Sequence, residues 1–565
     1  MASYEGFEYD VVIVGSGAGG GMAAHVLTEA GIRVLLLEAG RDYDPYTEIP
    51  MFQQNHEAPL RGVSTSDKNF GYYDATVDGG WQVPGEPYTE AEGTTFMWWR
   101  ARMLGGRTNH FGRLVPRFSP ADFRPRGLDG KGVDWPIDYD EIAPWYDRTE
   151  TLIGVSGTNP GLEDVPDSSE GVLQPPVKPR VYELLLKKVA DKLNIPMVPM
   201  RRAVLTRPLD DRQACFYATG CGRGCSIGAA FQTTTSLLPW AKKTGNLKLL
   251  TDAMVKEVHL DYDGRASGVT FINRQTREDV RVDAEVVILA ASACETARLM
   301  LNSKSEKFPN GLANSSGQIG RNLMDSLGAD IGGYIPGLKG RPKYNEDGYS
   351  GNHLYIPWWD NAGQKDGSLD FTRGYHFEVG GGFGAPSMGI ASRVDGYGKT
   401  AKDEVRDLYG TGIGLSLRGE MVQSDDCYCE IDEEVKDKWG IPVLKFHWKW
   451  SQQELNQVAH GLEWAKKLIE GMGGVVNSPD VTPEQAIKAG GQIIHEVGTA
   501  RMGDDPATSV VNQWGQTWDV DNLYLMDGAV FASNPHKNCT LTILTLAMRN
   551  TTHLAEQLNT SGDTL

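Results

Sequence analysis

A glycine-rich turn between a strand pattern and a helix pattern is the feature that most restricts how this chain can fold. Residues 10–14 (DVVIV) form an apolar run typical of a buried parallel strand. Gly15, Gly17 and Gly20 follow as G-x-G-x-x-G, ahead of an apolar helix pattern. Glu38 ends the next apolar run, 18 residues after the last of these glycines. This β-α-β unit predicts a dinucleotide-binding domain of the α/β class.

Each residue of this unit has a physical task. Gly15 permits the tight turn, Gly17 lets the backbone approach a pyrophosphate, and Gly20 lets the helix pack on the strand. The helix N-terminus faces the phosphates, and Glu38 accepts hydrogen bonds from the ribose hydroxyls. The unit alone leaves both FAD and NAD open.

Composition excludes several other classes of protein. The chain has 565 residues, which is too long for one small domain, and 74 acidic against 55 basic residues give a net charge of −19. Such a charge repels phosphate backbones and anionic membrane surfaces, so we expect no nucleic-acid partner. No apolar run approaches the ~18 residues of a membrane span, and the N-terminus has no secretory signal pattern. We therefore expect no membrane insertion and, by default, a cytoplasmic location.

Hydrophobic periodicity predicts further elements along the chain. Residues 181–193 have helical spacing, residues 247–259 and 443–450 alternate like strands, and residues 286–290 form a second buried strand. Residues 540–558 carry apolar side chains on one face and predict a final helix.

Five segments that occur in order along the chain carry a resemblance to a known family. They are residues 38–40 (EAG), 102–109 (RMLGGRTN), 286–301 (VVILAASACETARLML), 495–503 (HEVGTARMG) and 525–542 (LMDGAVFASNPHKNCTLT). Together they resemble the glucose–methanol–choline (GMC) family of flavin oxidoreductases. The resemblance implies FAD, bound by a Rossmann-like α/β domain with an inserted α+β substrate-binding domain.

The family arrangement implies domains assembled from separate segments. The FAD-binding domain would comprise residues 1–60, 95–135, 196–325 and 490–565. The substrate-binding domain would comprise residues 136–195 and 326–489, with residues 61–94 as an excursion loop.

The resemblance assigns the catalytic pair to His495 and Asn538. Alcohol oxidation removes the hydroxyl proton and transfers a hydride from the same carbon to flavin N5. A neutral imidazole can take that proton, and a neutral amide can hold the hydroxyl without competing for it. His536 is a lesser candidate, and Cys539 stands where the family usually has proline.

The resemblance also implies a set of cofactor contacts. Gly105 and Gly106 let the chain pass against the isoalloxazine, and Thr540 begins a helix whose N-terminus faces the flavin pyrimidine. The remaining contacts are Asn109 beside the two glycines, the Val255 backbone at the adenine, and Asp527 and Gly528 near the pyrophosphate and ribityl chain.

His110 follows the second glycine segment directly. Some relatives with a histidine at this place attach it covalently to the flavin methyl group. Covalent attachment at His110 and a non-covalent contact both stay open.

Three cysteines lie close together in a glycine-rich segment. Cys215, Cys221 and Cys225 give C-x5-C-x3-C. Zinc usually takes four ligands, and neither a fourth cysteine nor a histidine lies near in sequence, so three thiolates suit a 3Fe–4S iron–sulfur cluster better. Zinc and unrelated thiols are the alternatives. The spacing resembles that of bacterial FAD-dependent sugar dehydrogenases, in which the cluster passes electrons from FAD to a cytochrome.

A relay centre favours a dehydrogenase over an oxidase. The resemblance then implies a small subunit that carries an export signal, a cytochrome c acceptor and a periplasmic location reached by co-export. Residues 134–147 (DWPIDYDEIAPWYD) look like those of relatives that act on sugars, and within the family the chain is most similar to glucoside 3-dehydrogenases. We expect oxidation of a secondary hydroxyl, at C3, of glucose, glucosides or disaccharides.

Several other functions stay open at this point. They are a sugar oxidase that reduces oxygen, a dehydrogenase acting at C1 or C2, a flavin lyase, and an NAD-binding regulator without chemistry. Tryptophans are candidate faces for sugar stacking, with core packing as the alternative: Trp98, Trp99, Trp358, Trp359, Trp448 and Trp450.

Overall fold

A parallel five-stranded sheet forms the centre of the computed structural model, which describes residues 2–3, 9–48, 57, 79–216, 224–341, 352–382 and 394–562. Four of its five strands are apolar runs buried on both faces, as is typical of parallel sheets, and the edge strand Leu247–Leu250 is partly exposed. In spatial order they are Leu523–Leu525, Val286–Leu289, Val11–Val14, Val34–Leu37 and Leu247–Leu250.

Two helices pack together beside this sheet. Ala18–Glu29 follows the glycine-rich turn and contacts the last helix, Thr540–Gly562. Leu541 and Leu544 on the apolar face predicted for the last helix are completely buried. Tyr139–Ile153 packs on the same helix and starts at Asp138, which caps it in a capping box with Glu141.

An antiparallel six-stranded sheet has a hydrophobic core of its own. In spatial order its strands are Val475–Val476, Leu327–Tyr334, Gly412–Gly419, Tyr375–Gly381, Leu354–Ile356 and Val198–Pro199. Along Gly412–Gly419 every second residue is buried, because one face of the sheet packs on the helix Gln452–Gly471.

Smaller sheets and helices complete the described part of the chain. A four-stranded sheet contains Ala2–Ser3, Asp279–Asp283, Ala266–Asn273 and Ala253–Leu260; a three-stranded sheet contains Tyr428–Lys436, Pro442–His447 and Thr89–Glu90; Gly79–Gly80 pairs with Arg100–Ala101. The other helices are Pro45–Glu48, Pro125–Asp129, Val181–Lys192, Leu237–Lys243, Ala293–Asn302, Asn361–Asp366, Gly398–Leu408 and Pro483–Ala486.

The secondary structure agrees with the periodicity of the sequence, with one difference. Residues 247–259 form two strands in two different sheets, because Asp252 adopts a left-handed conformation (φ 55°) that turns the chain between them. The proposed domain boundaries stay a prediction. Among the described residues, no helix combines the length and the apolar character needed to cross a bilayer.

Candidate active site

The glycine-rich turn is built by close backbone contacts. Gly15 has φ 100°, and a Cβ on it would lie 2.4 Å from the Ala290 carbonyl oxygen. A Cβ on Gly20 would lie 1.9 Å from the Gly15 carbonyl oxygen, so only glycine lets the helix approach the turn. By contrast, a Cβ on Gly17 would have no protein atom within 4 Å among the described residues. Gly17 therefore borders open space.

Glu38 ties this turn to the next strand. Its buried carboxylate accepts hydrogen bonds from the Ser16 hydroxyl, from the Ser16 amide at 3.2 Å and from the Gly40 amide at 2.7 Å. Burial raises the pKa of Glu38, and these donors oppose the rise. The Ser16 hydroxyl in turn accepts a hydrogen bond from the Gly105 amide at 2.8 Å, which connects residues 102–109 to the glycine-rich turn.

A cavity of about 450 Å³ starts at this turn. Eleven of the predicted catalytic and cofactor-binding residues line it: Gly15, Gly17, Glu38, Gly106, His110, Val255, His495, Asp527, Gly528, Asn538 and Thr540. The structure thus brings the dinucleotide fingerprint and the predicted catalytic pair, 480 residues apart in the case of Gly15 and His495, into one cavity.

The remaining predicted cofactor residues support the cavity wall. Gly20 and Gly105 hold the two turns, and Gly105 has φ 84°. The Asn109 side chain is fully buried, donating to the Leu104 carbonyl at 2.8 Å and accepting from the Thr234 hydroxyl at 3.0 Å. It stabilises the turn and does not belong to the described cavity lining.

The lining suits an anionic dinucleotide. The Gly17 backbone is open to close approach, and among the described residues no side chain caps the N-terminus of Ala18–Glu29, where the first amides of a helix can bind an anion. Arg100 is buried in the wall, and its Nε and one terminal nitrogen have no hydrogen-bond partner among the described residues. Such buried donors need an acceptor, which a pyrophosphate or ribose would provide.

His495 is held by both ring nitrogens. Its Nδ1 lies 3.0 Å from the Ser326 hydroxyl, and its Nε2 lies 3.3 Å from Asn538 Nδ2. Burial lowers the pKa of His495 to about 3, although the nearby Glu378 carboxylate opposes this. The imidazole is therefore neutral at physiological pH and can accept a proton.

The Asp325 carboxylate fixes the backbone around His495 through hydrogen bonds. Asp325 accepts from the His495 amide at 2.9 Å and from the Ile493 amide at 3.2 Å. Between them, Ile494 adopts a left-handed conformation with φ 67°, which is strained for a β-branched residue. Asn534 donates to the His495 carbonyl at 3.3 Å, so the turn is held from both sides.

His536 lies behind the catalytic pair and not in the described cavity lining. Its Nε2 is 3.2 Å from Asp164, and its Nδ1 is 3.4 Å from His376 Nδ1. Lys537 joins this buried network through Asp164 and Asp122, each at 2.7 Å.

His110 faces the cavity beside one of the candidate tryptophans. The Trp99 indole N–H donates to His110 Nε2 at 2.9 Å, and Trp99 itself lines the cavity. The other five candidates pack in the hydrophobic cores: Trp98, Trp358, Trp359, Trp448 and Trp450.

Two of the three cysteines of the predicted cluster, Cys215 and Cys225, are among the described residues. Cys215 and Cys225 belong to one small apolar cluster, and the Ala230 amide donates to Cys225 Sγ at 3.4 Å. Cys221, the third predicted ligand, lies outside the described residues. The Cys225 amide donates to the side chain of Gln232, which also accepts from Arg113 at 3.3 Å.

Several residues of the site carried no sequence signal of their own. Ser326, Asp325 and Glu378 contact the catalytic pair or its backbone but lie outside the recognised segments. The partly buried ion pair between Arg107 and Glu496, at 2.6 Å, could have been suspected, because both residues lie within such segments.

Family models agree with this geometry. Residues 9–327 match the model described as GMC oxidoreductase for the N-terminal part, and residues 423–547 match the C-terminal part of the same family. The N-terminal match alone covers more than half of the chain. The chain belongs to the GMC oxidoreductase family, which confirms the predicted fold class.

Individual relatives can be aligned with almost the full length of this chain. The chain is 30% identical to 2-methyl-1,2-propanediol dehydrogenase of Mycolicibacterium austroafricanum, covering 96% of this chain and 94% of the relative. It is 26% identical to the fructose dehydrogenase large subunit of Gluconobacter japonicus, covering 97% and 98%. A solved pyridoxine 4-oxidase from Mesorbium loti has a TM-score of 0.65 at 17% identity over 97% of this chain and 99% of the other, which shows the shared fold.

Fold, cavity and family together define the class of enzyme. The protein is an FAD-dependent oxidoreductase that acts on CH–OH groups.

Proposed function

We propose that the protein is a sugar dehydrogenase that oxidises a secondary hydroxyl, at C3, of glucose, glucosides or disaccharides to a keto sugar. The observation that carries the proposal is the neutral His495 beside Asn538, in the same cavity as the dinucleotide fingerprint. Electrons would leave through an iron–sulfur cluster to a cytochrome-type acceptor.

The residues of the pair have separate roles in this reaction. FAD, when bound, supplies the acceptor for a hydride. Asn538 holds the substrate hydroxyl, and His495 takes the proton of that hydroxyl. General base catalysis of this kind increases the rate about 10²–10⁴-fold. Residues Gly15, Gly17, Glu38 and Arg100 would hold the dinucleotide, with Arg100 supplying its unpaired donors to an anionic group.

Relatives support a polyhydroxylated substrate. One is a dehydrogenase of a diol and another is named for fructose, so both names describe oxidation of a compound with more than one hydroxyl. Both are named dehydrogenases, whereas a relative that is 27% identical is named paromamine 6'-oxidase, so the proposed acceptor depends on the cysteine motif and not on these names. The choice of a glucoside and of C3 depends on the resemblance of the whole chain and is part of the proposal.

The hydrogen bonds around Cys225 support the proposed electron route. Arg113 donates to the Asn109 carbonyl at 2.7 Å and to the Thr108 carbonyl at 3.3 Å, and Thr108 lines the cavity. Gln232 then connects Arg113 to the Cys225 backbone. A cluster on Cys215, Cys221 and Cys225 would thus lie a short hydrogen-bonded path from the cofactor.

The partners of the reaction follow from the same proposal. The Gluconobacter relative is named a large subunit, which supports a smaller companion for this chain. We propose a small subunit carrying an export signal, a c-type cytochrome as acceptor and a periplasmic location. Reduction of a c-type cytochrome by sugar and enzyme, followed at the cytochrome α-band, tests the acceptor.

His110 is the proposed attachment point of the flavin. It lines the cavity and is oriented by Trp99. After precipitation with acid, a yellow colour that stays with the protein and disappears in His110→Ala supports the bond. Complete release of flavin from the native enzyme contradicts it.

Anaerobic titration tests the function directly. Addition of glucose, a methyl glucoside or a disaccharide should bleach the flavin absorbance, and NMR of the product should show a ketone at C3. Oxidation at C1 or C2 contradicts the proposed position. Rapid peroxide formation in air supports a sugar oxidase instead, and an unbleached flavin with every sugar contradicts the sugar assignment.

A further inference from the structure

The amide of Asn538 is held from behind by a second buried side chain. Asn538 Nδ2 lies 3.3 Å from Glu378 Oε1 and 3.3 Å from His495 Nε2. Asn538 Oδ1 is buried and has no hydrogen-bond partner among the described residues. The two hydrogens of one nitrogen therefore point to two neighbours, Glu378 and His495.

Glu378 lies on the strand Tyr375–Gly381 and is outside the described cavity lining. Arg418 approaches its Oε2 to 3.8 Å, and His376 Nε2 lies 3.6 Å from its Oε1. Despite burial, Arg418 lowers the pKa of Glu378 to about 2, so the side chain is an ionised carboxylate. A carboxylate only accepts hydrogen bonds, and it must face the nitrogen of the amide.

This orientation has a consequence for the proton on His495. Because Asn538 presents its nitrogen to His495 Nε2, that ring atom must accept with its lone pair. The single proton of the neutral ring then lies on Nδ1 and is donated to the Ser326 hydroxyl at 3.0 Å. The lone pair of Nε2 faces Asn538. A substrate hydroxyl that binds there would replace His495 as the acceptor of the Asn538 N–H and would donate its own proton to Nε2.

We propose that Glu378 is a positioning residue: it fixes the amide orientation of Asn538 and, through that amide, the tautomer of His495 that can act as a base. The importance of this tautomer in turnover rests on the proposed function. The tautomer itself is a property of the resting enzyme.

The variant Glu378→Gln tests the inference, because glutamine can donate a hydrogen bond to Asn538 Oδ1. The Asn538 amide can then rotate by about 180° and exchange the places of its oxygen and nitrogen. The holoenzyme labelled with ¹⁵N-histidine reports the tautomer, and the His495 signals are those missing in His495→Ala. We expect a protonated Nδ1 in the native enzyme and an Nε2-protonated fraction in Glu378→Gln. The rate of flavin reduction should fall in proportion to the remaining Nδ1-protonated fraction, by up to about 10²-fold, with little change in substrate affinity, since the wrong tautomer cannot act as the general base.

Asp330→Asn is a matched control. Asp330 is the other carboxylate beside Arg418, also at 3.8 Å, and it makes no described contact with Asn538. It should leave both the tautomer and the rate unchanged. Glu378→Asp keeps an acceptor and should retain the native tautomer.

Two results would overturn the inference. One is an unchanged His495 tautomer in Glu378→Gln, and the other is an equal change in Asp330→Asn. If Glu378→Gln does not fold, Arg418→Met provides the same test by removing the cation that keeps Glu378 ionised. A native enzyme whose flavin no sugar reduces would contradict the proposed function alone, because the NMR measurement needs no turnover.

Discussion

The Ser326 hydroxyl lies 3.0 Å from Nδ1 of His495, on the side of the ring away from Asn538. The hydroxyl fixes the plane of the imidazole and accepts a hydrogen bond from the Nδ1–H group. Because one neutral hydrogen bond contributes about 1 kcal/mol, Ser326→Ala should slow flavin reduction about fivefold. Stopped-flow absorbance under anaerobic conditions measures this rate.

Ser326→Thr is the control for that change, because it keeps the hydroxyl. Its rate should lie closer to the native rate than that of the alanine variant. Equal rates for the native enzyme and Ser326→Ala would mean that the contact does not orient the base.

The rate of flavin reduction should fall only at an unusually low pH. Burial lowers the pKa of His495 to about 3, so the base is already neutral throughout pH 5–8. Flavin reduction at low substrate concentration should therefore change little over this range. A histidine with an ordinary pKa near 6.5 would lose about thirtyfold by pH 5, and such a loss would contradict the proposed environment of His495.

The same pKa has a consequence for stability. Below about pH 6.5 His495 is protonated in the unfolded chain, whereas in the folded chain it stays neutral down to about pH 3. This group therefore lowers the free energy of unfolding as pH falls through that window. The difference in Tm between pH 7 and pH 5 should be smaller in His495→Gln than in the native protein.

Two glycines of the fingerprint should respond differently to alanine. A Cβ on Gly20 would lie 1.9 Å from the Gly15 carbonyl, so Gly20→Ala should prevent folding. A Cβ on Gly17 meets no described protein atom within 4 Å and points into space that the cofactor would fill. Gly17→Ala should fold, with a cap penalty of at most about 1 kcal/mol, but should bind little FAD.

Flavin content and the Tm of the flavin-free protein distinguish these outcomes. Full FAD binding by Gly17→Ala would place the pyrophosphate elsewhere. A soluble, native-like Gly20→Ala would contradict the close approach of helix and turn.

The local sequence predicts the parts of this protein that depend on short-range pattern. The apolar runs became the central parallel sheet, and the last helix buries its predicted face. His495 and Asn538 could be assigned only through segments that resemble a family. The two side chains lie 3.3 Å apart, and their catalytic roles stay a prediction.

The support around the pair could not be predicted in the same way. Ser326 is 169 residues from His495, and Glu378 is 160 residues from Asn538. Glu378 reaches Asn538 because its strand has a particular register in the six-stranded sheet, pairing Glu378 with Ser416. A shift of one residue would turn the side chain to the other face, and no local pattern specifies that register for a buried charge.

The cysteine segment allows a sharp test of the proposed electron route. Cys225 is buried, accepts a hydrogen bond from the Ala230 amide and is connected through Gln232 and Arg113 to the cavity wall. Amide donors to sulfur are typical of iron–sulfur ligands. Cys225→Ser should therefore lose most of its iron and its reduction of cytochrome c.

The same variant should keep flavin reduction by sugar, because neither Cys215 nor Cys225, the two described cysteines of this segment, lines the cavity. Cys427→Ser is the matched control: Cys427 is also buried but donates to the Lys449 carbonyl at 3.4 Å and has no described contact with Cys225, so the iron content of this variant should be native. Iron and sulfide analysis of protein purified without oxygen decides the matter. A native enzyme without iron would mean that electrons leave the flavin directly, and loss of iron in both variants would mean that general destabilisation, and not ligation, explains the effect.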